Sequence, residues 1–111
     1  MPNPLTTIRK NGTVYTVLTP DEEGFLIGQS EGKPVAFFFS MKKFATAYLA
    51  SIGKADHVIV KEDVRGLTEE LIEAGVKEAF VDAEDPKQLP DPLVLPKYLE
   101  HMSKEAAAAS S

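Results

Sequence analysis

Val35, Ala36, Phe37, Phe38 and Phe39 are consecutive apolar positions with no polar alternation. A strand of this kind has both faces covered, so the pattern predicts an interior strand rather than an edge. After Ser40 the period becomes helical: Met41, Phe44, Ala45, Tyr48, Leu49 and Ile52 recur at i, i+3, i+4, i+7, i+8 and i+11, one apolar face of a helix. Ser40 is expected to be its N-cap and Gly53 its C-terminal stop. His57–Val60 then reads as a short β-branched strand. Leu67–Ala74 reads as a second helix with Leu71 and Ile72 inward, ended by Gly75, and Ala79–Asp82 as a further strand. The stretch 35–82 is thus expected to form a β-α-β-α-β unit with parallel, right-handed crossovers.

Upstream, Leu5–Lys10 and Thr13–Leu18 flank Asn11-Gly12. Asn-Gly between two such runs predicts a type I′ hairpin. Its first arm, polar and carrying Pro4, is expected to be an edge strand. Phe25–Gln29 reads as another strand, and Glu31-Gly32-Lys33-Pro34 turns the chain into Val35. Residues 1–39 are therefore expected to be an antiparallel meander. Four of the eight prolines fall in Asp85–Pro96, so 83–95 reads as a Pro-rich connector. A last helix is expected over 96–109, with Pro96 in its first turn and Leu95, Leu99 and Met102 as its apolar stripe. The expected fold class is α/β at the α+β boundary: one domain over 1–111 with a mixed sheet and a C-terminal helix.

Composition supports a globular reading. The chain has 111 residues, 43% hydrophobic and 26% charged, enough for one core. It has no cysteine, which removes disulfides, thiolate nucleophiles and zinc-thiolate sites. No basic region leads into an apolar segment at the N-terminus, and no apolar run approaches the ~20 residues that span a bilayer. A cytoplasmic protein without a membrane partner is expected.

The net charge of −5 is divided unevenly: +1 over residues 1–53 and −6 over 54–111. An acidic surface repels phosphate backbones, and Arg9 and Arg65 are the only arginines. Nucleic-acid binding is therefore not expected.

In an open α/β sheet, ligands sit beyond the carboxyl ends of the parallel strands. That edge is expected to collect Ser40, Lys42 and Lys43, then Lys61, Glu62 and Asp63, then Asp82, Glu84 and Asp85. Lysines at a helix N-terminus oppose the helix dipole, and a bound anion offsets that cost. Ser40, Lys42 and Lys43 are thus candidates for an anion site, and Asp63, Asp82 and Glu84 are candidate edge carboxylates. The plainer reading of both lysines is solvated surface charge.

Asp82-Ala-Glu-Asp-Pro86 lacks the glycine and distal glutamate of a calcium loop. His57 and His101 have no partner at metal-ligand spacing. There is no Gly-x-Gly-x-x-Gly, P-loop or Gly-x-Ser-x-Gly, so no catalytic residue, metal or cofactor is assigned.

The segment Val-Ala-Phe-Phe-Phe-Ser-Met-Lys-Lys-Phe-Ala, followed by Ala-Gly-Val-Lys-Glu-Ala-Phe-Val-Asp-Ala-Glu-Asp-Pro, lies within Gly32–Pro86. This half of the chain resembles the N-terminal domain of SseB-type proteins, the bacterial "enhanced serine sensitivity" group, and small bacterial proteins of the same outline. The departures are Lys42 and Lys43, where the family has acidic residues, and Asp82 with a later Pro86, where it has Asn-Pro. The resemblance implies a bacterial source, an α/β fold and an interaction role, and it carries over no catalytic residues.

The expected function is a non-catalytic protein-interaction module. The alternative is an anion binder or small enzyme at the carboxyl edge, with Ser40, Lys43 and Asp82 in its site. An unidentified protein partner is expected. A homodimer is also expected, through Leu93, Val94, Leu95, Leu99 and Met102 of the C-terminal arm and helix.

Overall fold

The computed structural model describes residue 8 and residues 11–85 and 87–110. Its strands are β1 (Thr13–Leu18), β2 (Gly28–Ser30), β3 (Lys33–Phe38), β4 (Val58–Asp63), β5 (Glu78–Val81) and β6 (Leu93–Val94). Its helices are α1 (Lys42–Ser51), α2 (Val64–Glu73) and α3 (Leu95–Ser110). The fold is α/β, with a mixed sheet ordered β2-β3-β5-β6 and an antiparallel ribbon of β1 and β4.

β3 is interior, as its apolar run predicts. One edge pairs in parallel with β5, from Val35↔Glu78 to Phe38↔Val81. The other meets β2 at Val35↔Gly28, then β1 at Phe39, where Tyr15 and Phe39 exchange both backbone bonds at 2.9 Å. The Phe37 carbonyl falls between those two partners. The buried Thr16 hydroxyl donates to it at 2.9 Å and closes the gap.

Two hydrophobic clusters share β3. Ala36 and Phe38 point to one, with Val14, Ala79, the Val64, Leu67 and Leu71 face of α2, and Leu95 and Tyr98 of α3. Val35, Phe37 and Phe39 point to the other, with Val17, Phe80 and the Ala45, Tyr48 and Leu49 face of α1. One helix thus covers one face and two cover the other. This is why β3 has no polar alternation.

Gly53 and Gly75 end α1 and α2 as expected, at φ 73° and 90°. Each closes a Schellman motif. Lys54 N–H reaches Leu49 O at 2.9 Å, and Val76 N–H reaches Leu71 O at 2.9 Å.

Four expectations are corrected. The Asn11-Gly12 hairpin is not formed: Ile8 and Asn11 are helical, Gly12 N–H donates to Ile8 O at 2.8 Å, and only Gly12 of the pair has positive φ. Here Gly12 ends a helical turn, the other use of a left-handed glycine. The rest of the Leu5–Lys10 arm lies outside the described residues. The two-residue turn sits instead at Glu31-Gly32, with φ 53° and 79° between paired Ser30 and Lys33.

The meander over 1–39 is also only partial, because the chief partner of β1 is β4. The β-α-β-α-β unit does not lie in one parallel sheet. β4 pairs antiparallel with β1, from Thr13↔Asp63 to Leu18↔Val58, and among the described residues only β3 and β5 are parallel neighbours. Among the described residues β4 pairs along one edge, and it ends in exposed Lys61, Glu62 and Asp63, the charged face of an edge strand. Finally, the connector over 83–95 is not wholly irregular. Leu93–Val94 pairs with β5, and Leu95 opens α3.

Leu95 and Tyr98 are buried, and Leu93 and Met102 pack against the same cluster. Much of the stripe expected to face a second copy therefore lies on its own core.

Candidate functional site at the carboxyl edge

β1 runs opposite to β3 where they meet at Phe39, and β4 runs opposite to β1. β4 and β3 therefore point the same way, and their carboxyl ends share one edge. Tyr15 sits between them, paired with Lys61 on one side and Phe39 on the other. This places Lys61 beside the residues that follow β3. The ribbon and the start of α1 enclose an open groove of about 440 Å³, lined by Asn11, Thr13, Tyr15, Ser40, Met41, Lys42, Lys43 and Lys61.

Ser40, Lys42 and Lys43 all line this groove, but Ser40 does not cap α1. Met41 occupies the N-cap position and makes no side-chain cap bond, and the first turn has no acidic residue. Ser40 is held by Asp82 instead. Its N–H donates to Oδ1 at 2.7 Å, and its hydroxyl donates to Oδ2 at 2.7 Å. Asp82 N–H in turn donates to Phe38 O at 2.8 Å. This clasp joins the ends of the parallel strands β3 and β5. It holds Asp82 at φ 53°, a left-handed conformation that Asp tolerates better than most residues.

The candidate carboxylates do not converge on the groove. Asp63 caps α2 by accepting Gly66 N–H at 2.8 Å. Asp82 is occupied by Ser40. Glu84 and Asp85 are exposed beyond β5, where Asp85 accepts Lys87 N–H at 2.9 Å in a tight turn. Pro86 lies outside the described residues.

Among the described residues, no carboxylate forms an ion pair with Lys42, Lys43 or Lys61. The Lys43 ammonium lies 5.4 Å from the centre of the Phe44 ring, a cation–π contact that restrains it. Three cationic side chains thus surround a floor that includes Tyr15 and the half-exposed Met41. The sequence reading placed Lys61 on this edge but did not include Tyr15 or Met41. Their part depends on the β1–β4 pairing, which no local signal announces.

A second hollow of about 570 Å³ lies at the opposite end of the strands, lined by Lys33, Pro34, Gly75, Lys77, Glu78, Val94 and Pro96. Its lysines share the space with Glu78, so it has less net charge. No group of three His, Cys, Asp or Glu side chains among the described residues is placed to hold a metal ion. His57 Nδ1 lies 3.0 Å from Asp56, whose carboxyl that hydrogen bond holds below its ordinary range. No helix among the described residues is long and apolar enough to cross a membrane. No protein-family model matches the chain, and no curated protein matches its sequence.

Proposed function

We propose that the chain is a small cytoplasmic, non-catalytic protein-interaction module of SseB-like type, and that its carboxyl-edge groove receives an acidic segment of a protein partner. One observation carries this reading: Lys42, Lys43 and Lys61 gather from two elements around a partly apolar floor, without counter-carboxylates, in a chain of net charge −5. Like charges brought together without partners repel one another, and an anionic ligand relieves that repulsion. The apolar floor suits a chain segment that brings a hydrophobic side chain along with its carboxylates. The Ser40 hydroxyl donates to a carboxylate that also holds its own amide, a positioning arrangement rather than an activated nucleophile.

The test is an NMR titration of the full chain with a peptide of sequence Glu-Asp-Leu-Glu-Asp. Amide shifts are expected at Thr13, Tyr15, Met41–Lys43 and Lys61. They are expected to vanish in a Lys42→Ala/Lys43→Ala/Lys61→Ala variant that keeps the fold. Absence of shifts at millimolar peptide would sink the reading. Equal shifts with inorganic phosphate and no gain from the leucine would favour the small-anion alternative, in which the uncapped start of α1 supplies N–H donors.

A further inference from the structure

The groove is not the only unbalanced surface on its edge. The chain leaves β5 through Asp82 and continues into exposed Glu84, Asp85, Lys87 and Asp91, a segment of net negative charge. Within it Leu89 is 38% exposed, one of few large apolar side chains left open among the described residues. Another is Met41 in the groove, at 44%. The basic groove and the acidic segment begin on either side of a direct contact, the Ser40–Asp82 clasp. No ion pair between them forms within the chain among the described residues.

We propose that the carboxyl edge is a twofold interface with a second copy of this chain, in which the acidic segment 84–91 of each copy lies in the Lys42–Lys43–Lys61 groove of the other. A face that carries both halves of a complementary pair side by side is self-complementary under a twofold axis: residue i meets j, and j meets i. Each interface then contains the same match twice. Glu84, Asp85 and Asp91 lie toward the three lysines, and Leu89 lies toward Met41 and Tyr15. Lys87 opposes the match by one charge in each half. Exposed ion pairs are individually weak, so the dimer depends on several acting together and on salt. This inference rests on the groove being a site for acidic chain segments, and it names the segment and the copy that supply one. It moves the dimer surface away from the C-terminal helix, whose Leu95 and Tyr98 are already buried.

The experiment is sedimentation equilibrium of the full chain from micromolar to millimolar concentration, at low and high salt, with two charge-reversal variants. Wild type is expected to dimerise at low salt and to weaken at high salt. Lys42→Glu/Lys43→Glu and Glu84→Lys/Asp85→Lys are each expected to weaken self-association by at least roughly tenfold. An equimolar mixture of the two variants is expected to restore the dimer, because each reversed patch now meets its complement. Leu89→Ser is expected to weaken it without changing charge. A wild type that stays monomeric throughout overturns the proposal, as does a mixture that fails to heterodimerise. A peptide of residues 84–91 and the Glu-Asp-Leu-Glu-Asp peptide, each titrated into the monomer, separate the two ideas. If the Glu-Asp-Leu-Glu-Asp peptide shifts the groove amides while wild type stays monomeric or the 84–91 peptide does nothing, the groove reading stands and only the twofold interface is lost. If neither peptide shifts them, both fall.

Discussion

Thr16 carries more of the sheet's integrity than its size suggests. It is 2% exposed, and its hydroxyl is the side-chain donor that reaches the Phe37 carbonyl where β2 stops and β1 has not yet begun to pair. Thr16→Val keeps the shape and removes that donor. The buried carbonyl then lacks a partner, and the variant is expected to lose about 1–3 kcal/mol in a denaturant melt. A valine variant as stable as wild type would mean that another donor serves Phe37.

Tyr48, 4% exposed and packed against Phe37 and Phe39, gives a pH-dependent prediction. Burial pushes its phenol above the ordinary value of 10.0. A raised folded pKa favours the neutral form, so its contribution is complete below pH 10 and falls as pH rises through the folded value. Alkaline unfolding followed by circular dichroism should therefore shift to higher pH in Tyr48→Phe than in wild type. An unchanged alkaline midpoint would remove Tyr48 as the responsible group. At this scale the sequence reading placed Ser40, Lys42, Lys43 and Lys61 on one edge, where they line one groove, but gave Ser40 the wrong partner. A serine after a strand and before a helix has the local signature of a cap, whereas Asp82 is distant along the chain, and only the parallel pairing of β3 with β5 brings them together.

Elements were legible where one local pattern has a single outcome. The unbroken run at Val35–Phe39 required two covered faces and has them, and the two helix-ending glycines close the same motif. Phe38 tests the first of these. It is fully buried among α2, α3 and β5 residues, and Phe38→Ala is expected to cost about 3–5 kcal/mol, read from chemical denaturation. A loss no larger than that of an exposed substitution would contradict its place in the core. Elements were misread where one pattern has two outcomes. Asn-Gly serves a hairpin or the end of a helical turn, and the buried Ile8, anchored in the α2–α3 cluster, accompanies the second. Val58–Val60 reads equally as a parallel core strand or as the inner half of an edge strand. The charged Lys61–Asp63 continuation belongs to the edge strand, but it resembles a loop when local propensity alone is weighed.

For the molecule as a whole, the sharing of β3 decides how the fold should come apart. Its even positions, Ala36 and Phe38, belong to the cluster under α2 and α3, and its odd positions, Val35, Phe37 and Phe39, belong to the cluster under α1. Neither cluster can lose its part of β3 without exposing the other, so the two layers are expected to unfold together rather than in sequence. Leu71→Ala removes side-chain volume from the first cluster and Leu49→Ala from the second, each with an expected loss of about 2–5 kcal/mol. Both variants should shift one and the same transition in scanning calorimetry, with calorimetric and van't Hoff enthalpies in agreement. If the β1–β4 ribbon with α1 were instead a separate unit, Leu49→Ala would lower an early transition and leave a later one in place. That ribbon meets β3 through the paired Tyr15 and Phe39 and the Thr16 bond to Phe37, and it meets the segment before β2 through the backbone bond from Leu26 N–H to Val17 O. Those few bonds alone would not hold it. The side chains of Val17 and Tyr15, packed with Phe37, Phe39 and α1 in one cluster, provide the burial that couples ribbon to sheet. A single transition that both substitutions lower is therefore the result this architecture requires.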